Sequence, residues 1–278
     1  MFGYVWHTGR PARVILLLLC ATVTAIGFRN AARGHWESVM TCILTLILFL
    51  IPVILGKKLH IRLPAAMEIT VPVFIFCAEV LGEIACFYVR YPFWDTALHT
   101  VNGFLFAAFG FCLVDLLNEN PRLKFQLSPQ FVALAAFCFS VTIGVLWEFF
   151  EYTMDHLLAV DMQKDTFITA FQSVALDQTD SNIAVPVGEI TQTVLCLRDG
   201  SRIVLPGYLD IGLTDTVKDL FVNFIGAAAF SVLGGVYLAR RGKRGLAAAF
   251  IPVVEPAAVQ MTKEYNSYET RDKGKMEA

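Results

Sequence analysis

Long apolar runs interrupted by short polar joints dominate the chain. A membrane-spanning helix needs about 20 mainly apolar residues, and six stretches meet or approach that length: residues 12–28, 38–56, 64–88, 94–117, 128–154 and 215–238. The first two carry no charge except Arg13 at an edge. The other four hold ionisable residues inside apolar surroundings. Residues 246–259 are too short to span and are broken by Pro252 and Pro256, so they read as a tail lying on the membrane, with the chain beyond Arg241 flexible. The pattern predicts an all-α polytopic membrane protein with six transmembrane helices.

Between the fifth and sixth helices, residues 156–214 form a long polar connection. Glu189-Ile-Thr-Gln-Thr-Val-Leu-Cys-Leu and Arg202-Ile-Val-Leu are β-rich, and the intervening Arg198-Asp199-Gly200-Ser201 carries the Asp-Gly signal of a hairpin turn. A short helix is expected over residues 161–175. The organisation is therefore two amino-terminal helices (1–63), core helices three to five (64–155), an extracytoplasmic loop or cap built around a β-hairpin (156–214), helix six (215–241) and a cytoplasmic tail (242–278).

Composition sharpens the class. Of 278 residues, 56% are hydrophobic and 17% charged, against about 45–50% and 25% for soluble domains. A net charge of −2 offers no basic surface for nucleic acid. Fifteen of the 22 Lys and Arg residues fall in segments that are cytoplasmic if the amino terminus is inside, so both termini are expected to face the cytoplasm. The first apolar run is read as an uncleaved helix in preference to a signal peptide, despite Arg10 and Arg13 before it. Six of seven cysteines lie in the spans, where thiols behave as small hydrophobes, and only Cys196 is in the outer loop. No disulfide framework is implied.

Charged groups inside a span cost about 2.5–3.5 kcal/mol each near the helix centre and ask for a partner or a function. With this orientation, at about 1.5 Å per residue, Glu79 and Glu83 lie roughly 22 and 28 Å up the third helix and Glu148 about 30 Å up the fifth. His99 and Asp219 lie only about 6–7 Å below the outer starts of the fourth and sixth. Spacings of three, four or seven give each helix a polar face: Glu79 with Glu83, Asp95 with His99, Glu148 with Glu151 and Asp155, and Asp215 with Asp219 and Asn223. Gly103 and Gly226 occur about a turn deeper, where small residues let helices approach closely.

Three readings follow. Carboxylates with an imidazole can bind a divalent cation of unspecified identity, with His99, Glu148, Glu151 and Asp219 as ligands and Asp95 and Asp215 as orienting groups or proton carriers in catalysis. Glu79, Glu83, Asp155 and Asn223 then complete the pocket. Alternatively the acids share protons, or bind a cation or solute in a transporter. In the plainest reading Asp95 and Asp215 are helix N-caps, Glu151 and Asp155 are solvated, and Tyr91, Trp94, Trp147 and Tyr152 form an interfacial belt. That reading leaves Glu79, His99, Glu148 and Asp219 unexplained. His7, His35 and His60 read as solvated, Glu68 as a partner of Arg62 or Lys58, and Asp115 and Glu119 as inner-side residues outside the cluster. His156 follows Asp155 and is a candidate to join it.

The segments Leu81-Gly82-Glu83…Phe87-Tyr88, Trp94-Asp95…His99…Gly103, Trp147-Glu148-x-x-Glu151 and Asp215-Thr-Val-Lys-Asp219-x-x-x-Asn223-x-x-Gly226 together resemble the YjdF-like uncharacterised bacterial membrane proteins. The order of Asp…His, Glu…Glu and Asp…Asn…Gly is also similar to VanZ-like proteins, some linked to glycopeptide resistance. The resemblance covers about residues 64–238 and implies a multi-pass protein of the bacterial inner membrane, without a settled reaction. The leading expectation is a metal-dependent enzyme or binding protein acting on an envelope lipid or lipid-linked precursor. The alternatives are a proton- or cation-coupled transporter and a non-catalytic envelope interaction protein using the hairpin.

Overall fold

The structure, a computed structural model, describes residues 10–52, 54, 61–62, 64–118, 127–240, 246–251 and 253–254. It divides into two compact units, one of residues 1–144 and 222–278 and the other of residues 145–221.

The first unit is helical. Helix α1 (Arg10–Ala32) and α2 (Trp36–Leu48) are followed by a two-residue strand β1 (Ile61–Arg62), α3 (Ala65–Phe76), the short α4 (Phe87–Arg90) and α5 (Trp94–Asn118). Helix α6 (Pro129–Leu158) contributes its amino-terminal half, and α7 (Leu213–Ala239) its carboxy-terminal part. Four described helices are long and apolar enough to cross a membrane: α1, α5, α6 and α7. Apolar side chains such as Leu17, Leu18, Leu146 and Val232 are exposed on their surfaces, as suits helices solvated by lipid rather than water.

The two other expected spans differ from continuous helices. Helix α2 is 13 residues long, too short alone to span, and part of the second apolar run lies outside the described residues. The third span is irregular: α3 contains Pro72 and passes at Cys77 into a π-helix, Cys77–Ile84, that ends beside Cys86 in the left-handed conformation (φ 58°). Wider π-turns change which residues share a face. The indole N–H of Trp94 donates to the Cys77 carbonyl at 3.3 Å, and Phe87 packs edge-on against Tyr91 and Trp94 with centroids 4.8 and 4.9 Å apart. An aromatic cluster thus closes the end of this segment.

One apolar core joins Met67 of α3, Leu105, Ala108 and Phe111 of α5, Val132 and Ala136 of α6, and Ala227 and Phe230 of α7. A second core gathers Val23, Cys42, Phe49 and Val80. The segment expected to be a surface tail instead enters the first core. Leu246–Ala249 forms a 3-10 turn, Ala247 and Ile251 are buried there, and β8 (Val253–Val254) pairs antiparallel with β1. Burial of these small and branched apolar side chains in the core holds the segment there. The later part of the tail lies outside the described residues.

Helices α5 and α7 approach until their backbones touch. A side chain at Gly103 would overlap the Asn223 carbonyl, and one at Gly226 would overlap the Thr100 carbonyl. The expectation of close approach at these two glycines is borne out, with each glycine seating a carbonyl of the facing helix. Nearby, the Ser140 hydroxyl of α6 donates to the Gly103 carbonyl at 2.7 Å.

The second unit contains the ends of α6 and α7 and three antiparallel strand pairs. Strand β2 (Thr166–Ile168) pairs with β7 (Tyr208–Asp210), β3 (Phe171–Ser173) with β4 (Val185–Val187), and β5 (Thr193–Cys196) with β6 (Arg202–Leu205). The anticipated hairpin is present: Val194 faces Val204, and Leu195 faces Ile203. Its turn uses Gly200 at φ +86° and Asp199, whose Oδ1 accepts from the Ser201 amide at 2.9 Å and hydroxyl at 2.6 Å. The helix expected over residues 161–175 is absent. Thr166-Phe167-Ile168 is β-branched and aromatic and finds a partner in β7, and only Val174–Leu176 makes a 3-10 turn. Long-range pairing decides the segment against local helix formation.

Candidate functional site

In the first unit, α5 places Asp95 in its first turn and His99 one turn further on. His99 is 8% exposed, and its Nε2 lies 3.5 Å from Asp95 Oδ1. A carboxylate at one imidazole nitrogen orients the ring and favours the other nitrogen as a ligand or proton acceptor. Glu79 is half-buried and Glu83 exposed, both on the π-helix. Asn223 is 1% exposed and lies on α7 against the Gly103 contact.

The second unit carries the remaining acids. On α6, Glu148 and Glu151 are 4% and 8% exposed, and Glu151 Oε1 accepts from the Trp147 indole N–H at 2.8 Å. On α7, Asp219 is 1% exposed. Lys218, whose importance the sequence reading missed, sets its ammonium 3.8 Å from Asp215 and 3.9 Å from Asp219. Its signal was its place three residues after one acid and next to another. In α6 and α7 alike, the buried acids alternate with exposed apolar neighbours such as Phe149, Phe150, Val217 and Phe221. Carboxylates on the inward faces of lipid-exposed helices are costly enough to indicate a role.

Other acids of the second unit fix the segment that follows α6. Asp155 accepts from the Met162 and Gln163 amides at 2.6 and 2.9 Å. Asp215 Oδ2 accepts from the Lys164 amide at 2.8 Å, and the Gln163 side-chain amide donates to the Thr216 hydroxyl at 2.6 Å. The chain leaving α6 is thereby bonded to the start of α7. The sequence reading overlooked Asp210, which caps α7: it accepts from the Leu213 and Thr214 amides at 3.0 and 2.9 Å and from the Thr214 hydroxyl. An Asp three or four residues before an apolar run was the available signal. Burial raises the pKa of Asp210, but the Thr214 hydroxyl and these amides outweigh it and hold it below the ordinary value. Asp165 moves the other way, pushed up by burial and by neighbouring Asp161, Asp210 and Asp155. His156 is exposed; its Nδ1 is 2.8 Å from the Tyr152 carbonyl and its ring lies over that tyrosine, with centroids 4.0 Å apart. All seven cysteines are free thiols, with Cys196 exposed on the hairpin.

The chain has relatives among known proteins. Residues 11–240 match the family described as "Predicted membrane protein (DUF2238)", which includes the YjdF-like proteins. The chain belongs to this family. A stretch of 107 residues is 29% identical to an "Uncharacterized protein" of Thermotoga maritima, covering 38% of this chain and 53% of the relative. The chain thus spans about half the length of the curated relative it matches. No solved structure matches. Family membership supports an integral membrane protein with several apolar helices and carries no reaction with it.

Proposed function

We propose that this is a multi-pass protein of the bacterial inner membrane, with six spans and both termini cytoplasmic, that binds a divalent cation near its outer surface. His99, Glu148, Glu151 and Asp219 are the proposed ligands, with Asp95 orienting the imidazole and Asp215 assisting proton movement. The observation carrying this reading is the buried His99 beside Asp95 on an otherwise apolar helix. A neutral imidazole and hard carboxylates together suit manganese, zinc or iron better than calcium. The burial of Glu148, Glu151 and Asp219 supports it further, because acids retained on lipid-embedded helices need compensation.

The proposed activity is metal-dependent binding or hydrolysis of an envelope lipid or lipid-linked precursor. A bound cation would polarise a phosphoryl or carbonyl oxygen. Lys218 supplies the positive side chain that an anionic headgroup needs, beside Asp215 and Asp219. Elemental analysis of purified protein tests the reading. Stoichiometric metal that disappears in the Glu148→Gln and His99→Ala variants supports it, and absence of metal from the wild type after supplementation rejects it.

A second reading, a proton- or cation-coupled transporter, is favoured by one feature. The π-helical break carrying Glu79 and Glu83 is the type of irregular intramembrane backbone that transporters use at ion sites. Substrate-dependent dissipation of a proton gradient in proteoliposomes, lost in Glu79→Gln, would select this reading over the enzyme.

A further inference from the structure

Asn223 stands apart from the other polar groups at the helix crossing. Its side chain is 1% exposed, and neither Oδ1 nor Nδ2 has a hydrogen-bond partner among the described residues. Ser140, buried in the same unit, shows the usual solution: its hydroxyl is spent on the Gly103 carbonyl. A buried amide without partners is costly, because it gives up its hydrogen bonds to water and regains none. Leucine would fill a similar volume without that penalty.

The surroundings are shaped around the carboxamide. A side-chain carbon at Gly144 would stand 2.5 Å from Nδ2 and 2.9 Å from Cγ, while Oδ1 lies farther away at 3.4 Å. The missing side chain of Gly144 makes room for the amide. On the opposite side, Gly103 receives the Asn223 backbone carbonyl, so the helix carrying the amide is held by direct contact. A polar group is therefore positioned and kept unsatisfied by two glycines on two different helices. Along α5, His99 precedes Gly103 by four residues, and along α7, Asp219 precedes Asn223 by four, so each is one turn away on the same helix face.

We propose that Asn223 is itself an oxygen ligand of the divalent cation, its Oδ1 adding to the coordination offered by His99 of the same unit, with Gly144 maintained to let the carboxamide lie there. This rests on the cation-binding reading above. A neutral carbonyl oxygen is a normal ligand for hard and borderline cations, and adding one gives coordination without a further negative charge in the membrane. The unsatisfied Oδ1 is then a ligand position that the ion fills.

Equilibrium dialysis of the full-length protein in detergent against Mn2+ and, separately, Zn2+ tests this. Asn223→Ala and Asn223→Leu should weaken binding at least tenfold, and Gly144→Ala should weaken it by crowding the amide. Asn223→Asp, nearly the same shape, should retain or tighten binding and make it more pH-dependent; this variant carries the test should the leucine variant fail to fold. Wild-type affinity in folded Asn223→Ala, or unchanged affinity and pH dependence in Asn223→Asp, would overturn the assignment. If His99→Ala abolishes binding in the same series, the cation-binding reading survives that result. A wild type that binds neither metal overturns both.

Discussion

The Ser140 hydroxyl reaches across from α6 to the Gly103 carbonyl of α5 at 2.7 Å, at the point where Gly103 also meets α7. One residue thus accepts a hydrogen bond from one helix and seats the backbone of another. Gly103→Leu should prevent the α5–α7 contact and destabilise the protein by several kcal/mol or abolish folding. Ser140→Ala should cost only about 0.6 kcal/mol, the typical value for interhelical hydrogen bonds in membrane proteins. Denaturation in mixed micelles will rank the two, and an equal effect of both would contradict this geometry.

Metal removal offers a second prediction. If a cation binds the folded state alone, a hundredfold excess over Kd adds about 2.7 kcal/mol of stability. Chelation should lower the Tm of wild type, and readdition of the metal should restore it. His99→Ala should start from the lower Tm and show no response. An equal chelator response in the variant would remove His99 from the site.

The Asp210 cap can be tested without reference to function. Asp210→Ala removes acceptors from two backbone amides and should destabilise the second unit by about 0.5–2 kcal/mol. Asp210→Asn should recover part of that loss. Hydrogen exchange at Leu213 and Thr214 will report it, with faster exchange in Asp210→Ala.

The acid response of the loop around Asp177 in the second unit follows from that residue's hydrogen bonds. Its carboxylate accepts from the Thr179 hydroxyl and from the amides of Thr179, Ser181 and Ile183, which hold its pKa at about 2. The folded value lies below the ordinary carboxylate value of about 4, so the contribution is complete above about pH 4 and fades as pH falls toward 2. Amide exchange at residues 179–183 should accelerate over that window in wild type. Asp177→Asn should show the faster exchange already at neutral pH.

Topology is open to chemistry at Cys196. It lies exposed on the hairpin, and in a variant retaining only this cysteine an impermeant thiol reagent should label it on intact cells. Labelling only after permeabilisation would reverse the orientation.

Four of the six expected spans were legible because uninterrupted apolar runs leave few alternatives, and Arg198-Asp199-Gly200-Ser201 announced its hairpin through turn chemistry. Legibility failed where distant partners decide. Residues 166–168 form a strand because Tyr208–Asp210 pair with them, and nothing local distinguishes that from a helix. The π-segment was equally hidden, since its apolar pattern around Glu79 and Glu83 also suits an α-helix. At the candidate site, His99 beside Asp95 follows from their spacing of four. The unsatisfied Asn223 could not be foreseen, because its meaning depends on Gly103 and Gly144, distant in the chain.

The pairing of Val253–Val254 with Ile61–Arg62, and the burial of Ala247 and Ile251 against the helices, changes how the protein should be engineered. A truncation at Arg244, which hydropathy alone would recommend as harmless trimming, would remove a plug from the helix bundle and uncover Met67 and Phe104. Expression vectors should keep the chain at least through Val254 and attach purification handles beyond it.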